Sequence, residues 1–198
     1  MPLDSYDGLV ASIGAWLMRD DLSAVIPDFI SLAETDMNNR LRLRTQLVTA
    51  TVDAAGGDLP ADAVHVQSVT LDGYGRLAFA SGAENAEFTE GYRGGPARWF
   101  GIDGNKLVVS PTPANGSLTL RYYARIPALG PVSQTNAVLE ASPGLYLYGS
   151  LLQAAPYLLD DQRVQTWGTL YTQAADLLQA SDDAAEFPGP LVIRSAPW

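Results

Sequence analysis

Residues 142–181 read SPGLYLYGSLLQAAPYLLDDQRVQTWGTLYTQAADLLQAS, and their spacing predicts two helices folded against each other. Ser142 suits an N-cap and Pro143 the first helical position. Leu145, Tyr148, Leu151, Leu152 and Ala155 then recur at three- and four-residue steps on one face. Pro156 is expected to kink or end this helix, because its ring obstructs the preceding turn. Asp160 and Asp161 supply a second start, where carboxylates meet the positive end of a helix dipole. Val164, Trp167, Tyr171, Ala174, Leu177 and Leu178 form the stripe that follows. A hairpin of this kind leaves half its surface in need of burial, so its partner must come from elsewhere in the chain or from a neighbouring subunit.

Working outward, the amino-terminal side offers two more helices. One begins at Asp4 or Ser5 with Tyr6, Leu9, Val10, Ile13, Trp16 and Leu17 inward and stops near Arg19, Asp20 and Asp21. The next starts around Ile26 and Pro27 and runs through Phe29, Ile30, Ala33, Met37 and Leu41. Between Leu47 and Arg125 the period changes. QLVTATV, AVHVQSVTL, RLAF, RWFGI, KLVVS and SLTLRYYAR are short, rich in Val, Thr and aromatics, and separated by Gly56-Gly57, Asp72-Gly73, Asp103-Gly104 and Asn115-Gly116. These predict antiparallel hairpins, with Leu118, Leu120 and Tyr122 on one face of the last strand and Thr119, Arg121 and Tyr123 on the other. Gly82–Gly91 reads equally as a short helix or a loop. The expected class is α+β: a four-helix bundle (1–46 and 132–185, two helices before and two after), an antiparallel β insertion (47–131), and an extended carboxy-terminal arm (186–198). Pro188, Pro190 and Pro197 forbid a helix in that arm, yet Phe187, Leu191, Val192, Ile193 and Trp198 are too apolar for a free tail, so it must dock on something.

Composition removes several function classes. The chain has no cysteine, which excludes a thiol nucleophile or a Cys-built metal site, and His65 is its single histidine. No apolar run approaches the roughly 20 residues of a membrane span, and MPLDSYDGLV lacks the layout of a signal peptide, so folding in the cytoplasm is expected, with no membrane partner. A net charge of −10 with one lysine, Lys106, argues against a nucleic-acid binder. The same charge suits a surface that DNA passes without sticking.

Candidate chemistry is thin. Gly149-Ser150 lacks the second glycine of a nucleophile elbow and falls inside a predicted helix. Asp160/Asp161 read as a helix start and Asp182/Asp183 as a solvated end before they read as an acid–base pair. His65 has no ligand-type neighbour at metal spacing, and Asp103-Gly104-Asn105 is a hairpin turn without the carboxylates of a calcium loop. The expectation is no catalytic residue, no metal and no cofactor. The densest positive patch is Arg40, Arg42 and Arg44. Its plain reading is a helix C-terminus pairing with surplus acids, its functional reading a subunit–subunit contact, and DNA contact comes third.

Several stretches together resemble the head-to-tail adaptor proteins (connectors or gatekeepers) of tailed bacteriophages: WLMRDDLSAVIPDFISLAETDMNNRLRLR, LRYYARIPALG, TNAVLEASPGLYLYGSLLQAAPYLLDDQRVQTW and YTQAADLLQAS. YLYGSLLQAAPYLLDDQRVQTW is the most specific of these, and the sheet insertion matches mainly in pattern. The resemblance implies a helical bundle with a β insertion and no enzymatic activity. It further implies a structural virion protein at the head–tail interface that assembles as a dodecameric ring under the portal protein and links it to a tail or stopper/nozzle protein. DNA would pass through that ring during ejection without specific binding. The arm residues Phe187, Leu191, Val192, Ile193 and Trp198 would reach the portal, and Arg40, Arg42 and Arg44 would join subunits.

Two other classes compete. A phage receptor- or glycan-binding module on the β insertion would stack sugars on Tyr74, Tyr92, Trp99 and Tyr122, although aromatics in short strands are more often core. A cell-wall hydrolase would need two carboxylates about 5–10 Å apart in a cleft.

Overall fold

The structure, a computed structural model, describes residues 3–19, 21–91, 95–113, 115–158 and 163–186. Along the chain come α1 (Tyr6–Leu17), α2 (Ile26–Arg40), a 3-10 turn (Arg44–Gln46), β1 (Leu47–Asp53), β2 (Gly57–Asp58) and β3 (Ala63–Leu71). These are followed by β4 (Gly75–Arg76), β5 (Ala78–Phe79), α3 (Gly82–Gly91), β6 (Trp99–Asp103), β7 (Lys106–Ser110) and β8 (Ser117–Ala124). The chain closes with α4 (Ala137–Ala141), α5 (Pro143–Leu158) and α6 (Val164–Glu186). Two compact units result, one from Met1–Thr45 with Ile126–Trp198 and one from Gln46–Arg125.

Local chemistry sets the helix ends of the first unit. Ser5 takes an extended backbone and its Oγ accepts from the Gly8 N–H at 3.3 Å, satisfying one of the donors a helix start leaves over. At the other end of α1, Met18 turns left-handed (φ 53°), so that its N–H reaches Ala15 and that of Arg19 reaches Gly14. Pro27 opens α2, whose last carbonyls are met by the Arg42 guanidinium: Nη1 donates to Asn38 O at 2.9 Å and to Leu41 O at 2.6 Å. Asn136 caps α4 by accepting from Leu139 N–H at 2.9 Å.

The expected four-helix bundle does not form, and neither does a single antiparallel insertion. The class is α+β, but α5 packs against α1, α2, α4 and α6 together, with α4 as an extra short helix. The burial of α5 shows why: Leu145, Tyr146, Leu147, Gly149, Ser150, Leu151 and Ala154 are all buried, faces on more than one side, whereas a bundle helix buries one stripe. Tyr148 and Leu152, assigned to that stripe from spacing, are half-buried. Pro156 does not end the helix, which continues to Leu158. Gly149 lies where α5 comes closest to its neighbours. A Cβ there would stand 2.9 Å from the Tyr171 ring and 3.3 Å from Ala33 Cβ, so only glycine lets the three helices meet. Leu9, Ile13, Ile30, Met37, Leu139 and Trp167 fill the core around it.

The second unit holds two four-stranded sheets, ordered β1-β8-β3-β4 and β2-β7-β6-β5. All pairs are antiparallel except β5 with β6, which is parallel. The last strand, β8, inserts between β1 and β3. Leu118, Leu120 and Tyr122 are buried, while Thr119, Arg121 and Tyr123 lie on the more open face, as the alternation predicts. The core joins them to Val69, Leu71, Phe100, Leu107 and Val109. Gly56, at φ +90°, is required at the turn before β2, where a Cβ would sit 2.3 Å from Leu107 O. Gly82–Gly91 is a helix. Its start carries a reciprocal cap, with Ser81 N–H and Oγ both donating to Glu84 Oε2 at 2.9 and 2.8 Å and Glu84 N–H donating back to Ser81 Oγ at 3.5 Å. The carboxy-terminal arm 187–198 lies outside the described residues.

Candidate functional site

The arginine segment that follows α2 is held along α6. Arg42 N–H donates to Gln179 Oε1 at 3.0 Å and Gln179 Nε2 returns a bond to Arg42 O at 3.1 Å. Arg44 N–H donates to Asp182 Oδ2 at 2.7 Å, and its Nε meets Oδ1 of the same carboxylate at 3.2 Å. Asp182 is therefore a mostly covered acceptor that straps the exit of α2 onto α6 and not a solvated end. Asp183 accepts from Gln179 Nε2 at 2.8 Å. One turn back, Arg40 lies 3.9 Å from Asp36 and 5.4 Å over the Tyr171 ring, while Tyr171 Oη donates to Asp36 at 2.6 Å. Burial, helped by that anionic acceptor, pushes the Tyr171 hydroxyl pKa well above its ordinary value. Arg40, Arg42 and Arg44 thus each engage groups of their own unit, and the side chains of Arg40 and Arg44 remain near half exposed.

A buried polar chain fastens the return from the second unit. Glu34 on α2 is 6% exposed, and its Oε1 accepts from Leu129 N–H at 2.8 Å and from Tyr146 Oη at 3.2 Å. Tyr146 Oη accepts in turn from Asn136 Nδ2 at 2.7 Å, which also reaches Pro127 O. Asn38 accepts from Ile126 N–H at 2.7 Å. Burial raises the Glu34 carboxyl pKa, against the pull of the Leu129 N–H. Sequence reading passed over Glu34 and Asn38; their signal was two polar residues, at i and i+4, on the helix face that carries Ile30, Ala33 and Met37.

The other candidates separate. Ser150 is fully buried in α5 with no hydrogen-bond partner for its Oγ, far from the exposed turn a nucleophile elbow needs. His65 stands beside Tyr123, ring centroids 6.2 Å apart. Among the described residues no group of three or more His, Cys, Asp or Glu side chains converges for a metal, and no helix is long and apolar enough to cross a membrane. The aromatics proposed as a sugar platform do not gather: Trp99 stacks on Phe88 at 4.4 Å, Tyr122 is buried and donates to Asp62 at 3.1 Å, and Tyr74 is exposed on a turn. Tyr92, Asp160 and Asp161 lie outside the described residues, as do Phe187, Leu191, Val192, Ile193 and Trp198.

What remains is surface for macromolecular contact. On the helical unit Trp16, Leu32, Tyr157 and Leu177 are large apolar side chains left open to solvent. A helical scaffold with a sheet-rich insertion, an acidic balance and no gathered reactive groups among the described residues fits a part that joins other parts. No curated protein matches the chain. A family model described as SU10 adaptor protein matches residues 4–194, a span that takes in both units. By that match the chain belongs to the SU10 adaptor family of phage head–tail adaptors, structural components of the virion.

Proposed function

We propose that the protein forms a ring beneath the portal, joins it to the tail and surrounds the path of the DNA. Membership of the adaptor family implies a structural, non-enzymatic role and binding to portal and tail proteins in general, and the match over residues 4–194 is the observation that carries the reading. Twelve copies, as the resemblance implies, would each present the same pair of surfaces to their neighbours, a heterologous contact that closes on itself. On this reading Arg40, Arg42 and Arg44 lie at that contact, and the half-exposed guanidinium groups of Arg40 and Arg44 support it, being open to a neighbour's carboxylates. The charge of −10 supports a wall that repels phosphate and lets DNA slide.

The arm residues Phe187, Leu191, Val192, Ile193 and Trp198 are assigned to the portal, held in extended form by main-chain bonds to a free strand edge. Electron microscopy of the protein mixed with its portal tests the whole reading. A ring stacked on the portal is expected, and a portal that stays bare counts against it. Chain ended after Glu186 should fold and fail to join the portal; undiminished binding would remove the arm from the reading.

A further inference from the structure

The second unit carries a cleft of about 700 Å³ that the ring reading leaves unused. It opens where the chain leaves one sheet for the other: β4 ends at Arg76, β5 begins at Ala78, and Leu77 alone lies between. Leu77, Phe79, Phe100 and Ile102 make its apolar lining. Phe79 is 66% exposed although its ring meets Phe100 edge-on at 5.5 Å, and covering such a side chain is ordinarily favourable.

Arg76, His65 and Gln67 supply the polar side chains of the lining, and no carboxylate contributes to it. Arg76 donates to Gln67 O at 3.3 Å and has no acidic oxygen within 4.0 Å among the described residues. In a chain with 22 acidic residues against 12 Lys and Arg, such a cation beside an apolar wall is matched to a carboxylate from outside. The strand edges add backbone groups. β4 covers β3 only at Thr70 and Leu71, so residues 64–68 carry no strand on that side among the described residues, and β5 is an edge strand of two residues.

We infer that this cleft takes an extended segment of another virion protein. Apolar side chains at alternate positions fill it against Phe79 and Ile102, an Asp or Glu meets Arg76, and the main chain adds along the open edge of β3. The β1 edge of a second copy is a poor occupant: beside Val48 it exposes Thr49, Thr51 and Asp53, and Asp53 Oδ1 is already taken by Ala55 N–H at 2.8 Å.

The inference rests on the adaptor reading only in seeking the partner in the virion. Phe79 is replaced by the photo-reactive p-benzoylphenylalanine, assembled virions are irradiated, and the adduct is sequenced by mass spectrometry. Ile102 is the second attachment position if the first blocks assembly. The expected adduct lies on a different virion protein, within a segment of alternating apolar residues that carries an acid. Adding Arg76→Glu should lower its yield at least tenfold. An adduct to a second copy of this chain, the lack of any adduct, or a yield indifferent to Arg76→Glu overturns the inference. Failure of the unaltered protein to ring its portal would count against the ring reading alone, because the cross-link is read independently of it.

Discussion

Glu34 gives the sharpest test of how the helical unit is held. Replacing it with alanine strands the part-buried Leu129 N–H and the buried Tyr146 O–H, each worth about 1–3 kcal/mol when left without an acceptor. Relief of a buried carboxylate offsets part of this, so Glu34→Ala should cost about 2–4 kcal/mol, a large share of the roughly 5–15 kcal/mol that holds a domain together. Glu34→Gln keeps an acceptor in place without the charge and should cost far less. The sign with pH follows from the raised pKa. The folded protein binds this proton more tightly than the unfolded chain does. Its contribution is therefore fully present below the ordinary glutamate value of 4.5 and is lost as pH rises through the higher folded value. Each unit of displacement is worth about 1.4 kcal/mol. Urea unfolding followed by tryptophan fluorescence, at steps from pH 4 to pH 8, should show the cost of Glu34→Gln shrinking above pH 4.5 and then staying constant. A difference that stays flat across that range, or a glutamine variant as unstable as the alanine one, would refute the buried-carboxylate account.

Substitutions at four further positions probe the same unit. Met18→Gly should raise stability by up to about 1 kcal/mol in thermal unfolding, because it relieves a left-handed residue that is 85% exposed. Gly149→Ala gains helix propensity but drives a methyl into the Tyr171 ring, so a net loss of about 1–3 kcal/mol is expected in the same assay. Ser150→Ala should be neutral or stabilising by about 1 kcal/mol, since it removes a buried hydroxyl that has no partner. Asp182→Ala should cost about 1–2 kcal/mol and speed amide exchange at Arg44, whereas Asp182→Asn keeps an acceptor for that N–H and should protect it.

What could be read from the residues was what is decided within a turn or two of chain. Ser5 and Pro27 mark helix starts, and the stripe of Leu9, Ile13 and Leu17 is inward because its spacing follows the helical period. Leu118, Leu120 and Tyr122 are inward because successive strand residues must face opposite ways. The capped start at Ser81 and Glu84 is equally local, since Ser followed three residues later by Glu is the spacing of a capping box and favours the helix at Gly82–Gly91 over a loop.

Tertiary structure decided what depends on residues far apart in the chain. Counting helices suggested a bundle, but a stripe says only that a helix has an inward face, and not that Tyr146 and Leu147 on other sides of α5 are covered as well. Asp182 looked like a solvated end until Arg44, 138 residues away in sequence, was placed against it. The same holds for Glu34, whose donors lie 95 and 112 residues further on, and for Arg76 beside Phe79 and Phe100. Periodicity is a property of the neighbouring backbone and can be read in one dimension. Which charge meets which, and which helix is enclosed, is settled by the burial of the whole chain at once.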